Sequence, residues 1–259
     1  MIKDLSIFFK KETLVMGGLG FSAGLPIMLV FSTLSVWLVK AGVERSTVTL
    51  FSWAGFAYSF KFLWSPIVDK FRLPILNQYG HRRSWLFFSQ ILIIISILLT
   101  SLSDPQKNLS FMAISIVLIA FSSATQDIII DAFRIESAPE KKQGPLASMY
   151  LAGYRVAMIV SGAGSLWLAS HFSGSAYQLE VWKNVYQIIS LFMLIGLIST
   201  FFAKEPLMLK KNNIKNFEQI KFTVSTVSSI VIFFIVYLSI PAINELNYFF
   251  SFLLNLVKI

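Results

Sequence analysis

FSSATQDIIIDAFRIE, residues 121–136, ends an apolar segment with two acids four residues apart, Asp127 and Asp131, followed by Arg134 and Glu136. On a helix, positions i, i+4 and i+7 share a side, so Asp127, Asp131 and Arg134 form one polar stripe. The apolar run before it is long enough to cross a bilayer, which puts the stripe where such a helix leaves the hydrocarbon. A charge at the bilayer centre costs about 2.5–3.5 kcal/mol on insertion scales, so an acid there calls for a partner and a purpose. Asp131 and Arg134 also fit a helix end that shows its charges to water. Asp127 lies deeper and fits that reading less well.

The rest of the chain reads outward from this stretch. Of its 259 residues, 56% are hydrophobic and 14% charged. Soluble domains carry about 25% charged residues, and the mean hydropathy here is +0.70. Apolar runs near the spanning length recur, and the alternating strands of a membrane barrel do not. The expected class is an all-α polytopic membrane protein. There is no cysteine, which removes disulfides and thiolate chemistry.

Six apolar segments are expected within residues 1–203: roughly Leu14–Leu38, Val48–Val68, Trp85–Leu102, Leu109–Ile130, a fifth that Pro145 opens and that reaches Ala169, and Trp182–Phe202. Residues 204–221 read as a basic linker. Residues 222–259 read as one or two further hydrophobic helices, the last too short to span. In the first segment Gly20 and Gly24 form a GxxxG pair that lets another helix approach closely, and Pro26 removes a backbone bond. Gly162 and Gly164 sit in a run of small residues, 161–165, suited to tight helix packing.

Lysine and arginine set the orientation. With the N-terminus in the cytoplasm, fifteen fall in inner regions and four in outer loops. That bias follows the positive-inside rule and accounts for most of the net charge of +9 without a nucleic-acid partner. It places the loop after the second segment, the Asp127–Arg134 stripe and the basic linker on the cytoplasmic side.

Few residues are left to carry chemistry. His81 and His171 stand far apart without paired ligands, so no metal site is expected. Neither a nucleophile elbow nor a phosphate-binding loop occurs, and no cofactor or enzymatic activity is expected. What stands out is a set of intramembrane charges: Lys61, Asp127 and Arg155. If Asp127 or Asp131 meets Arg155 or Lys61, the pairing lowers the cost of burial, and competition between partners can switch conformation. Lys61 can instead reach the headgroups with its long side chain. Arg155 is too deep for that, so a cavity or a partner is expected for it. Thr125 and Gln126 can bond a polar solute or a neighbouring helix.

Six spans followed by a basic linker resemble the N-terminal half of a major facilitator superfamily transporter. That superfamily carries a loop of the form G-x-x-x-D-R-x-G-R-R. The counterpart here is Pro66-x-x-Asp69-Lys70, an insertion, then Gly80-His81-Arg82-Arg83. The lengthened loop is similar to that of the AmpG-type muropeptide permeases and the distant acetyl-CoA transporters. GFSAGLP (20–26), FKFLWSP (60–66) and ATQDIIIDAFR (124–134) resemble the first, second and fourth helices of the muropeptide branch. The resemblance covers about residues 1–205.

It implies proton-driven uptake of anhydromuropeptides across a bacterial inner membrane by two six-helix bundles that rock about a central site. Asp127 would then serve proton coupling or conformational locking, and Arg155 would meet an anionic group of the solute. Asp69, Lys70, Gly80, Arg82 and Arg83 would form the inner gate. The chain shows one bundle, not two. The expectations are therefore a truncated transporter, a homodimer that restores the second bundle, or a membrane protein that moves nothing and serves another permease. Acetyl-CoA stays open as the solute alongside muropeptide.

Overall fold

The computed structural model describes residues 6–73, 77–173 and 176–206. All regular structure in them is helical. After a short 3-10 turn, Ser6–Phe9, five helices are long and apolar enough to cross a membrane. These are α1 (Lys11–Lys40), α3 (His81–Leu102), α4 (Leu109–Ser137), α5 (Glu140–Ser173) and α6 (Leu179–Phe202). Between α1 and α3, residues 45–70 form a sixth stretch, α2. The fold is thus an all-α multi-pass membrane bundle. The expected linker from 207 onward and the expected helices of 222–259 lie outside the described residues.

The second stretch departs from the expected single helix. It is a chain of short α pieces (Arg45–Phe51, Phe56–Phe60, Ser65–Lys70) joined by 3-10 turns at Ser52–Gly55 and Lys61–Leu63. Its composition explains this. Phe51, Trp53, Phe56, Tyr58, Phe60, Phe62 and Trp64 follow one another about every second residue, off the helical period, and aromatics are weak helix formers. Pro66, near the start of the last piece, has no N–H to lose there.

Helix ends follow local chemistry. α1 runs through Pro26 and is interrupted at Phe31 (φ −103°, ψ −86°). It ends in a Schellman cap: Gly42 has φ +81°, its N–H donates to Val39 O, and the Val43 N–H donates to Leu38 O. Asn108 caps α4 by accepting the Phe111 N–H at 2.9 Å.

Two boundaries need correction. α4 continues about two turns past Ile130, so Asp131, Arg134 and Glu136 all stand on it. Pro145 does not open α5; it lies inside a helix that starts at Glu140, because Glu140, Lys141, Lys142 and Gln143 are good helix formers behind Pro139. The Gln143 amide also donates to the carbonyls of Arg134, Ile135 and Ala138, covering the C-terminal end of α4.

The most extensive packing is α1 on α5, followed by α3 on α4. Backbones nearly touch where α1 crosses α5. A Cβ on Gly20 would run into the Tyr150 carbonyl oxygen, one on Gly24 into that of Tyr154, and one on Gly153 into that of Gly17. Gly162 and Gly164 do not make such a crossing. The nearest neighbours of a Cβ there lie at ordinary contact distances, 3.4 and 3.7 Å. That run forms instead a π turn, Val160–Gly164, where the Thr33 hydroxyl donates to Ser161 O at 2.8 Å.

Among the described residues the core has two apolar clusters. One contains Leu25, Leu29, Trp37, Ile93, Ile116, Trp182 and Tyr186, with the Trp37 and Trp182 rings stacked at 5.9 Å. The other contains Met16, Leu19, Trp85, Leu86, Ile129, Ile130 and Phe133. Along α1, α3, α4 and α6, the buried polar residues Ser22, Gln90, Gln126 and Thr200 fall between the two.

Candidate functional site

The polar layer is built from three helices besides α4. Gln126 is fully buried and donates to Ser22 Oγ on α1 at 2.6 Å, while the Ser22 hydroxyl donates to Leu19 O at 2.8 Å. On the far side, Thr200 of α6 donates to Gln90 Oε1 of α3 at 2.9 Å. These bonds favour one register, because sliding a helix would strand them, yet the layer is only partly satisfied: among the described residues, Gln126 Oε1 and Gln90 Nε2 are buried without a partner. Gln126 therefore bonds a neighbouring helix. Thr125 also bonds within the protein, accepting the Trp64 indole N–H at 3.1 Å.

Asp127, one residue further, turns toward α2. Lys61 Nζ stands 3.8 Å from its Oδ2, with the acid side chain 15% exposed and the lysine 34%. The break in α2 matters here, because Lys61 opens the 3-10 turn Lys61–Leu63. The other carboxylate oxygen, Oδ1, is buried and has no hydrogen-bond partner among the described residues. Tyr150 and Tyr154 of α5, rings 6.0 Å apart, are partly buried nearby in sequence to Arg155.

The remaining sequence candidates separate. Asp131 pairs with Arg134 at 3.5 Å along the same helix and is half exposed. Arg155 is exposed and meets neither acid; its guanidinium lies 3.9 Å from Met158 Sδ. The cause is topological: α5 packs on α1 and touches α4 little, so sequence neighbours are not packing neighbours.

At the α3 N-terminus, two arginines tie four elements together. Arg82 bonds Asp69 of α2 at 2.7 Å and makes two bonds to Glu136 of α4, at 2.6 and 2.9 Å. The Arg82 and Arg83 backbone N–H groups donate to the Glu205 carboxylate, just past α6, at 2.8 and 3.0 Å. Arg83 in return donates to the carbonyls of Thr200 and Phe201 at the end of α6. Each helix end thus receives the charge its dipole favours, an anion at the start of α3 and a cation at the end of α6. Gly80 makes room: its φ is +101°, and a Cβ there would strike the Glu205 side chain. Lys70 is exposed and makes no ion pair among the described residues.

Glu205, Gln90, Ser22 and Thr200 were not singled out by sequence. One signal existed for Glu205. A carboxylate at a helix C-terminus opposes its own dipole, so it needs a cation or another helix start to face.

The family model of the Major Facilitator Superfamily matches residues 16–258. The Anhydromuropeptide permease of Escherichia coli (strain K12) is 37% identical over 202 residues, which is 78% of this chain and 39% of that protein. A Rickettsia felis protein bearing the name AmpG 4 is 37% identical over 161 residues, 62% of this chain and 39% of that protein. One from Rickettsia typhi, bearing the name AmpG 3, is 34% identical over 200 residues, 76% and 46% respectively. The matched chain thus spans less than half the length of each of these relatives.

Proposed function

The chain belongs to the major facilitator superfamily, and on that footing we propose that it forms a six-helix bundle of a proton-driven importer for anhydromuropeptide-like solutes. Similarity to the Escherichia coli permease over 202 residues supports the solute class. The membrane is then a bacterial inner membrane, with the N-terminus in the cytoplasm, as the lysine and arginine bias favours.

The observation that carries the reading is the pair Lys61–Asp127. It links a broken helix, α2, to a continuous one, α4, at the level of the polar layer. In transporters, interrupted helices and intramembrane ion pairs mark the moving parts of the solute path. A proton on Asp127 removes the attraction and frees Lys61, and with it the 3-10 turn. Arg155, exposed and without an acidic partner among the described residues, offers a cation to a solute carboxylate. Asp69, Arg82, Arg83 and Glu205 hold the inner end of the bundle closed upon itself. In a transporter of this type such a bundle works against a second one across the central site.

The test is uptake of labelled anhydromuropeptide by proteoliposomes containing the chain, with and without an imposed inward proton gradient. Gradient-dependent accumulation that Asp127→Asn abolishes is expected. Absence of accumulation, in vesicles where the Escherichia coli permease run in parallel accumulates the solute, overturns the proposal.

A further inference from the structure

A cleft of about 240 Å³ lies between α2, α3 and α4, walled by Trp64, Trp85, Phe88, Leu92 and Phe121. The Trp64 and Phe121 rings stand 4.7 Å apart, and Trp85 meets Phe88 edge-on at 5.8 Å. Every polar group in the walls is already bonded inside the protein. Trp64 Nε1 donates to Thr125, and Trp85 Nε1 donates to Phe71 O at 2.8 Å. Ser89, Ser122 and Thr125 each donate to a carbonyl of their own helix. Such a cleft has nothing to offer water or a polar solute, which would lose hydration without replacement. Its fitting occupant is a hydrocarbon chain.

The rim gives the other end of that occupant. Ile67, exposed, lines both this cleft and an adjoining hollow bounded by Pro66, Lys70 and Phe71. Lys70 has no ion-pair partner among the described residues, and neither has Arg72, two residues on and also exposed. Rim residues Phe71, Phe88 and Phe121 are exposed as well, so no described residue covers the mouth. An apolar slot leading to an unneutralised cation at a helix end suits an amphiphile with a hydrocarbon tail and an anionic head.

We infer that the α2–α3–α4 cleft binds one acyl chain of an anionic phospholipid whose phosphate headgroup sits at Lys70 and Arg72. The tied indole N–H groups hold both tryptophans in place before the lipid arrives, which spares the entropy of ordering them.

Trp64 and Trp85 report on the site directly. The chain is reconstituted in phosphatidylcholine vesicles doped with brominated phosphatidylglycerol or, separately, brominated phosphatidylcholine, and tryptophan quenching is followed against dopant fraction. Quenching by the glycerol lipid is expected at a dopant fraction roughly thirtyfold lower, the preference that two cations near an anionic headgroup confer at about 1 kcal/mol each. Lys70→Gln with Arg72→Gln, both at exposed positions, should erase that preference and leave the cleft intact. Trp85→Phe should remove part of the selective signal and none of the background. Equal quenching by the two lipids, or a preference unchanged in the double variant, overturns the assignment. So does Trp85→Phe quenching like the parent in both lipids, which would mean that protein covers the cleft.

Discussion

Arg82 grips Glu136 with two parallel bonds of 2.6 and 2.9 Å, and its remaining nitrogen reaches Asp69 at 2.7 Å. The arginine side chain is 11% exposed, so the fork works largely out of water. A bidentate guanidinium–carboxylate pair is not matched by lysine, whose ammonium is a single point charge. Arg82→Ala leaves Glu136, 24% exposed, and Asp69, 49% exposed, facing no cation; water reaches both acids, so the cost should be about 1.5–3 kcal/mol. Arg82→Lys should fall between it and the parent. Thermal unfolding in detergent measures both. An Arg82→Ala protein that melts with the parent would show that the fork carries no stability.

The exchange of charges between α3 and α6 makes a second prediction. Glu205→Ala removes the acceptor for two N–H groups in the first turn of α3 and should cost about 0.5–2 kcal/mol, as loss of an N-terminal cap does. Hydrogen–deuterium exchange should speed up at the Arg82 and Arg83 amides and stay unchanged in the middle of α3. Uniform acceleration along α3 would point to general loosening and count against capping.

Glycines give a third test, because the close approach is selective. Gly20→Ala and Gly24→Ala push a methyl into the Tyr150 and Tyr154 carbonyls, against rigid helical backbone. Overpacking of that kind costs about 1–3 kcal/mol. Gly162→Ala meets only Met28 side-chain atoms at 3.4 Å or more and should be tolerated within about 0.5 kcal/mol. Equal effects at the three positions would contradict the α1–α5 crossing.

These contrasts also show what the amino-acid order encodes on its face. Hydropathy and charge bias carry the crossings, because burial in lipid is paid residue by residue along the chain. The GxxxG at Gly20 and Gly24 announces a close helix neighbour, yet nothing local says that the neighbour is α5. Asp127 announces a partner, and two cations, Lys61 and Arg155, were open as that partner. Only the packing of α5 on α1 turns Arg155 away from the acids. The break in α2 was readable after all, in aromatics spaced off the helical period. Glu205 was hidden by its surroundings, a lone acid at the edge of a basic segment.

The Lys61–Asp127 pair yields the last prediction, a double-mutant cycle. At 3.8 Å and with Lys61 34% exposed, the contact is a modest one, and solvent screens part of it. Asp127→Asn leaves Lys61 unpaired beside the polar layer; Lys61→Met leaves Asp127 unpaired at 15% exposure, which is the costlier state. The double variant Lys61→Met/Asp127→Asn removes both charges and should be more stable than Lys61→Met alone. A coupling energy of about 0.5–2 kcal/mol is expected from unfolding in detergent. If the pair is also the moving part of a transport cycle, stability and uptake should come apart. The double variant would then regain its fold and still fail to accumulate solute under a proton gradient. A double variant that regains both would leave the ion pair as a structural tie between α2 and α4, with the coupling group elsewhere in the bundle.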